Sequence, residues 1–555
     1  MNTTHPPHRR LGRRLLGVAA ASMASILALT ACSASGAGTA ATTSESAVQK
    51  GGTLTLAFNQ DPYANLDPNQ NFWIESRSLD RNLVDSLTDQ DPKTGAIKPW
   101  LATKWSVSSD AKTYTFWLRK DVTFSDGEKF DATAVKDTLD NVKKLGALAS
   151  LGATYISGYS STTVVDPYEV KVDFATPNAA FLQATATTTL GILSPKSYTD
   201  FTPAQRALGQ FYGSGPFTLK KYTPNQSVVL VKRKDYDWGS PINSNRAAAY
   251  IDELDVKYIP EESVLVGALN SGQIDVAWPR NPLSAADQQS IKSGGGSIQS
   301  AVLPGLALDL LPNINGILGD DAVRKAIQLG IDRKTWADTV FYPGYPVATS
   351  VIDSSTPQYK NESSSLKYNA KAAQQTLSAA GWKTGSDGYR YKDGKQLAVS
   401  LLINAPWPGW DLLQSELKAI GIKIVQQVDT PAQFSVDANN GKFDLTGTYF
   451  TRGDADILRT YYDTSVVAEG KGPGAYTQKQ DVAQKLQSLF AQEIAEPDTA
   501  KRTALFGQIQ DELIASGTLF PLQNRVQVAG VASTVHGLKF TNEAFLRLND
   551  VWISK

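Results

Sequence analysis

Ala398-Val399-Ser400-Leu401-Leu402-Ile403, followed by Trp410-Asp411-Leu412-Leu413-Gln414-Ser415-Glu416-Leu417-Lys418-Ala419-Ile420-Gly421 and then Ile422-Lys423-Ile424-Val425, is the stretch that settles the fold class. The first and last pieces are short, apolar and rich in β-branched residues, so each reads as a strand. Between them Trp410, Leu413, Leu417 and Ile420 recur at steps of three or four, which is one face of a helix, and Gly421 supplies the left-handed stop. Strand, helix and strand in direct succession favour a mixed α/β sheet.

Segments on either side alternate in the same way. Thr53 to Phe58 alternates polar and apolar residues, as does Lys112 to Arg119 with Tyr114, Phe116 and Leu118 on one face, and both predict half-buried strands. Ser125-Asp126-Gly127 turns the chain, and Asp131 then caps a helix carrying Val135, Leu139, Val142 and Leu145. Further helices are expected from Asp320 or Asp321, with Val323, Ile327 and Ile331, and from Asn369 to Ala380 with Gly381 as the stop. Two more run over Val482–Ile494 and Thr499–Ile514, separated by Glu496-Pro497-Asp498. Core packing accounts for nearly all of these apolar stripes, including that of Trp410.

The N-terminus has its own logic. Arg9, Arg10, Arg13 and Arg14 precede a short Ala- and Leu-rich run that ends in Leu29-Thr30-Ala31-Cys32, the pattern of a lipoprotein signal peptide over residues 1–31 with Cys32 as the lipidated residue. The arginine pairs also admit a twin-arginine export route. Residues 32–50 lack the bulky apolar side chains that offset chain entropy and read as a flexible tether. Removing the leader takes away four arginines and no acid, so the net charge moves from zero to −4.

Composition excludes a good deal of chemistry. Cys32 is the only cysteine, so with its sulfur acylated no disulfide, thiol nucleophile or Cys/His zinc site is available. His536 is the one histidine after the leader, and Ser533-Thr534-Val535-His536-Gly537 contains no nucleophile elbow. No basic patch with interleaved aromatics argues for nucleic acid. The roughly 500 remaining residues exceed what one core normally supports, so two or more lobes are expected.

Several stretches, in order, carry a family resemblance. They are Asn65-Leu66-Asp67-Pro68; Ile97-Lys98-Pro99-Trp100-Leu101-Ala102-Thr103-Lys104-Trp105; Tyr114 through Gly127; Gly213-Ser214-Gly215-Pro216-Phe217-Thr218-Leu219; Ala268 through Asp275; and Val323-Arg324-Lys325-Ala326-Ile327 with Ile331-Asp332-Arg333. Over Gly51 to Lys555 the chain resembles the family 5 extracytoplasmic solute-binding proteins, the peptide and nickel group that delivers ligands to ABC importers.

The resemblance implies an α/β, two-lobed periplasmic-binding-protein-like fold (type II, cluster C-like) with an extra subdomain inserted in lobe 1. On that plan lobe 1 comprises 51–85, 215–307 and 530–555, the inserted subdomain 86–214, and lobe 2 308–529. It further implies capture of a ligand between closing lobes, with no catalytic residue, cofactor or metal, by a monomer lipid-anchored at the outer face of the cytoplasmic membrane. The implied partners are the ligand and the permease subunits of an ABC transporter. An oligopeptide leads as cargo, with a nickel complex, an oligosaccharide or another small metabolite as alternatives. A secreted carboxylate-dependent hydrolase is the reading from a different class, and it requires two facing acids.

Candidate ligand residues lie in three places. Trp407 follows a strand end in Asn404-Ala405-Pro406-Trp407-Pro408-Gly409, where loops line crevices in α/β sheets. Tyr449, Arg452 and Asp454 fall in Tyr449-Phe450-Thr451-Arg452-Gly453-Asp454-Ala455-Asp456. Peptide-binding relatives have an aspartate here that pairs with the peptide ammonium, upstream of an Asp-Pro-Asp ending. In this chain Ala455 replaces the proline, and Thr451 or Arg452 falls at the ammonium position. A buried arginine there would favour an anionic group, Asp454 becomes the anchor if the alignment slips, and a solvated turn with Asp454 capping the next helix is the structural alternative. Asn71, Phe72 and Trp73 complete the set from lobe 1.

Overall fold

The computed structural model describes residues 47–60, 65–405, 408–467 and 472–554. Cys32, the leader and Trp407 therefore lie outside the described residues. The decisive stretch forms strand Ala398–Ile403, helix Trp410–Ala419 and strand Lys423–Val428, and the two strands pair in parallel. Leu413, Leu417 and Ile420 are buried against that sheet, each contributing about 1.5–3 kcal/mol of apolar burial. Gly421 adopts φ +87°, as the helix stop requires.

This unit belongs to a five-stranded sheet in the order Lys423–Val428, Ala398–Ile403, Leu445–Thr451, Gly305–Pro312, Phe520–Gln523. A second, seven-stranded sheet runs Ser297–Val302, Val526–Val531, Val276–Trp278, Thr53–Phe58, Glu253–Tyr258, Ser227–Lys232, Phe217–Thr223. At its centre Thr53–Phe58 is parallel to both neighbours. A third, antiparallel sheet of Ala102–Val107, Thr113–Leu118, Glu169–Phe174 and Tyr159–Asp166 carries the inserted subdomain. Its own core has Tyr114, Phe116 and Leu118 on the buried face, with Val135, Leu139 and Val142 of helix Ala132–Leu145.

The predicted caps hold atom by atom. Asp131 accepts from the Thr133 and Ala134 N–H groups, Asp320 from Ala322, Asn369 from Ala372 and Asp498 from Lys501. Two details differ. Ile331 lies just past helix Asp321–Gly330, although it is still buried. Strand Val526–Val531 pairs wholly with the seven-stranded sheet, so the chain returns to lobe 1 ahead of the expected 529/530 boundary, because hydrogen bonds to Ser297–Val302 begin at Val526.

The chain passes between the large sheets at Leu303-Pro304 and at Asn524-Arg525. These crossing segments are tied together, the Leu303 N–H donating to the Arg525 carbonyl at 2.9 Å. Gly213 and Gly215 allow another close approach. A Cβ at Gly213 would lie 2.1 Å from the Leu83 carbonyl oxygen, so only glycine lets the chain leave the inserted subdomain against helix Ile74–Leu83.

Candidate functional site in the crevice between the sheets

Parallel strands set the crevice. Thr53–Phe58 and Val276–Trp278 end in Asn59 and in Pro279-Arg280, while Ala398–Ile403 and Leu445–Thr451 end in Asn404 and Arg452. The carboxyl ends of parallel strands are where ligands sit in open α/β sheets. Asn71 is buried and donates from Nδ2 to Asp80 Oδ2 at 2.5 Å, which fixes the entry to helix Ile74–Leu83. That leaves Phe72 40 % exposed and Trp73 half-buried.

Phe72 meets Phe450 of the five-stranded sheet edge to face, with ring centres 5.2 Å apart. Together with Tyr461, Leu151, Thr154 and Arg452 they line a cavity of about 270 Å³. Lobe 1, lobe 2 and the inserted subdomain all contribute to its wall. Tyr449, next to Phe450 and alternating to the other side of the strand, is 47 % exposed and lies under the Arg525 guanidinium at 4.6 Å. Trp73 lies under Arg280 in the same way at 4.7 Å.

The charged residues of the Tyr449–Asp456 stretch have partners within lobe 2. Arg452 is 1 % exposed, pairs through Nη1 with Asp456 Oδ2 at 2.7 Å, and packs its guanidinium over Tyr155. Asp456 also receives Arg459 Nε at 2.6 Å. Asp454 is bound by both terminal nitrogens of Arg502 at 2.7 Å each, and Arg502 Nε reaches Glu493 at 3.0 Å. Three guanidiniums thus face three carboxyls. Burial pushes Asp456 up, but Arg459 and Arg452 outweigh it and hold the carboxyl well below the usual range. Burial pushes Glu493 well above its own.

This corrects the solvated-turn alternative. Asp454 is buried and does not cap the next helix: its Oδ1 accepts the Asp456 N–H, and helix Ile457–Tyr462 has no side-chain cap. The reason is Arg502, on helix Thr499–Ala515, whose planar fork takes up both carboxylate oxygens. The Asp454 and Asp456 carboxyls are likewise committed to arginines, which removes them as a hydrolytic pair. His536 stacks on Trp552 at 4.0 Å with Nε2 3.2 Å from Ser554 Oγ. Among the described residues no group of three or more His, Cys, Asp or Glu side chains is placed to hold a metal ion, and no helix is long and apolar enough to cross a membrane.

Of the expected residues, Phe72 and Arg452 line the cavity, whereas Asn71, Trp73 and Tyr449 do not: Asn71 is buried against Asp80, and Trp73 and Tyr449 lie under Arg280 and Arg525. Phe450 and Tyr461, which line the cavity, were not among the expected residues, nor were Arg280 and Arg525, which rest on Trp73 and Tyr449. Arg280 was accessible to the strand-end rule, since it follows Trp278-Pro279, whereas nothing local distinguishes Arg525.

Residues 96–467 match the profile of the bacterial extracellular solute-binding proteins, family 5 Middle. Across 546 aligned residues the chain is 24 % identical to a "Probable ABC transporter-binding protein" of Deinococcus radiodurans, covering 88 % of each. It is 26 % identical to the oligopeptide-binding protein OppA of Mycobacterium bovis over 78 % of this chain and 72 % of that one. Among solved structures, NikA from Brucella suis in complex with Fe(III)-EDTA superposes with a TM-score of 0.78 at 23 % identity, covering 91 % of this chain and all of the other.

Proposed function

We propose, from the premise that the chain belongs to the family 5 bacterial extracellular solute-binding proteins, that it captures a small solute in the cavity between its lobes and hands it to the permease of an ABC importer. The observation that carries this is the cavity itself. Phe72 from lobe 1, Phe450 and Tyr461 from lobe 2 and Leu151 from the inserted subdomain wall one space, so filling it favours the arrangement in which all three are together. No catalytic step is invoked.

An oligopeptide is the leading cargo, in line with the oligopeptide-binding relative. At about 270 Å³ the cavity falls just below the roughly 300–1,000 Å³ usual for ligand pockets, which favours a short one. The leader of residues 1–31, which stops just before Cys32, supports lipid attachment at the outer face of the cytoplasmic membrane, with the monomer tethered by residues 32–50.

Native purification, release of the bound molecule by denaturation and its identification by mass spectrometry test the reading. The expected result is a small solute that rebinds unchanged and reduces the radius of gyration in X-ray scattering. A protein whose dimensions are the same with and without saturating solute, or which converts it, is not this kind of binding protein.

A further inference from the structure

The arginines around the crevice fall into two groups. Arg77 pairs with Glu543 at 2.6 Å, Arg547 with Asp89 at 2.8 Å, Arg452 with Asp456 and Arg502 with Asp454. Arg280 and Arg525 differ: among the described residues neither has a carboxylate within 4.0 Å. Each instead rests on an aromatic ring, Arg280 on Trp73 and Arg525 on Tyr449.

Their positions are those of a ligand receptor. Arg280 follows the carboxyl end of a central parallel strand of lobe 1, where its backbone N–H is held by Asn59 Oδ1 at 3.1 Å. Arg525 sits on a crossing segment. Its backbone N–H donates to Asp353 Oδ1 at 2.9 Å and its Nη1 to Thr451 Oγ1 at 2.7 Å. Gln527, two residues beyond Arg525, donates from Nε2 to the carbonyl of Pro279, the residue before Arg280, at 3.2 Å, so the two arginine-bearing segments meet where the crossing segment reaches lobe 1. Ring and backbone contacts hold each fork without using up its charge.

We propose that Arg280 and Arg525 together receive an oxyanion of the cargo, a carboxylate or a phosphate, so that the solute enters this crevice by an anionic group. This rests on the solute-binding reading and specifies its ligand class. Burial is the main effect that makes the charged Arg525 less favourable than in water; the nearby Asp353 carboxyl offsets part of it, and Arg280 adds like-charge repulsion, so that the net effect still disfavours the charge. An anion between the two relieves both. Thr451, one of the two positions where peptide-binding relatives were expected to place their ammonium partner, here accepts a hydrogen bond from Arg525, so the local charge is reversed.

Calorimetric titration of the full mature chain with glutarate, inorganic phosphate, cadaverine and trialanine amide tests this. Glutarate or phosphate binds, and whichever is tighter identifies the oxyanion; cadaverine and the amide, which carry no anion, do not. R280Q and R525Q each weaken the anion about 30-fold or more, the scale of stranding one member of a desolvated charge pair. R280K and R525K recover part of that affinity, which shows that the glutamine variants have not merely misfolded. Glu75, a buried acid with no ion pair among the described residues, serves as the control, and E75Q leaves anion affinity unchanged. Binding of cadaverine or the amide but not of the anions overturns the oxyanion site while leaving the solute-binding reading intact. Silence toward all four probes overturns the site as well, and the binding reading then stands or falls on the released-ligand and scattering measurements.

Discussion

Asp454→Asn should damage the stability of lobe 2 and leave ligand recognition nearly untouched. In the folded chain the Asp454 carboxylate accepts both terminal nitrogens of Arg502 at 2.7 Å and the Gln358 amide at 3.2 Å, with 3 % of the residue exposed. Asparagine keeps one acceptor oxygen but removes the charge, so the buried cluster shifts from three cations facing three acids to an excess of cation. Arg502 is not wholly stranded, because Nε retains Glu493 at 3.0 Å. The cost is therefore placed at about 3 kcal/mol, the low end for breaking a buried ion pair. Spread over the single compact unit Val48–Lys555, at about 2.1 cal/mol/K per residue, that corresponds to a fall of about 3 °C in melting temperature. Differential scanning calorimetry of the ligand-free variant reads this directly, and ligand affinity is measured well below its transition. Replacing both partners by apolar residues, D454L with R502M, should recover only part of the loss, since the Asp454–Arg502 pair is then removed whole but Glu493 loses its 3.0 Å partner and keeps only Arg459 at 3.7 Å. A variant that melts within 1 °C of wild type yet loses its ligand would show that Asp454 is a ligand anchor and that the structural reasoning fails.

Other predictions follow from single sites. Glu416 is buried, accepts the Asp332 N–H at 3.2 Å, and has its carboxyl pushed from 4.5 to about 7, chiefly by burial. The folded state thus holds this proton more tightly than the unfolded chain, so the contribution is complete below about pH 4.5 and lost as pH rises through about 7. E416Q should match wild type at about pH 4 and be more stable by up to about 3 kcal/mol at about pH 8 in urea titrations; a difference that does not vary with pH would refute it. A Cβ on Gly453 would lie 2.4 Å from Asn542 Nδ2 and 2.6 Å from Gln90 Oε1, where lobe 2 meets lobe 1 and the inserted subdomain. G453A should accordingly favour the open form at a cost of about 1–3 kcal/mol, seen as a larger radius of gyration with ligand present; unchanged dimensions and affinity would refute it. C32A should release the protein from the membrane or leave its leader uncleaved, and membrane retention after a salt wash would count against the lipid anchor.

Local order was legible in the chain because its causes are local. A cap at Asp131, Asp320, Asn369 or Asp498 needs an N–H only two or three residues away, and the stripe of Leu413, Leu417 and Ile420 is a matter of helical period. Strand alternation over Thr53–Phe58 and Thr113–Leu118, and the ordered motifs behind the family resemblance, were readable for the same reason. The charge state of the crevice was not. Arg77 finds Glu543 466 positions away, Asp454 finds Arg502 48 away, and Arg280 and Arg525 find rings rather than acids. Nothing in the neighbourhood of an arginine says which distant carboxylate will reach it. Only the packing of lobe against lobe decides which charges are neutralised inside the protein and which are left for a ligand, because a buried charge is defined by the partners the fold brings within a few ångströms.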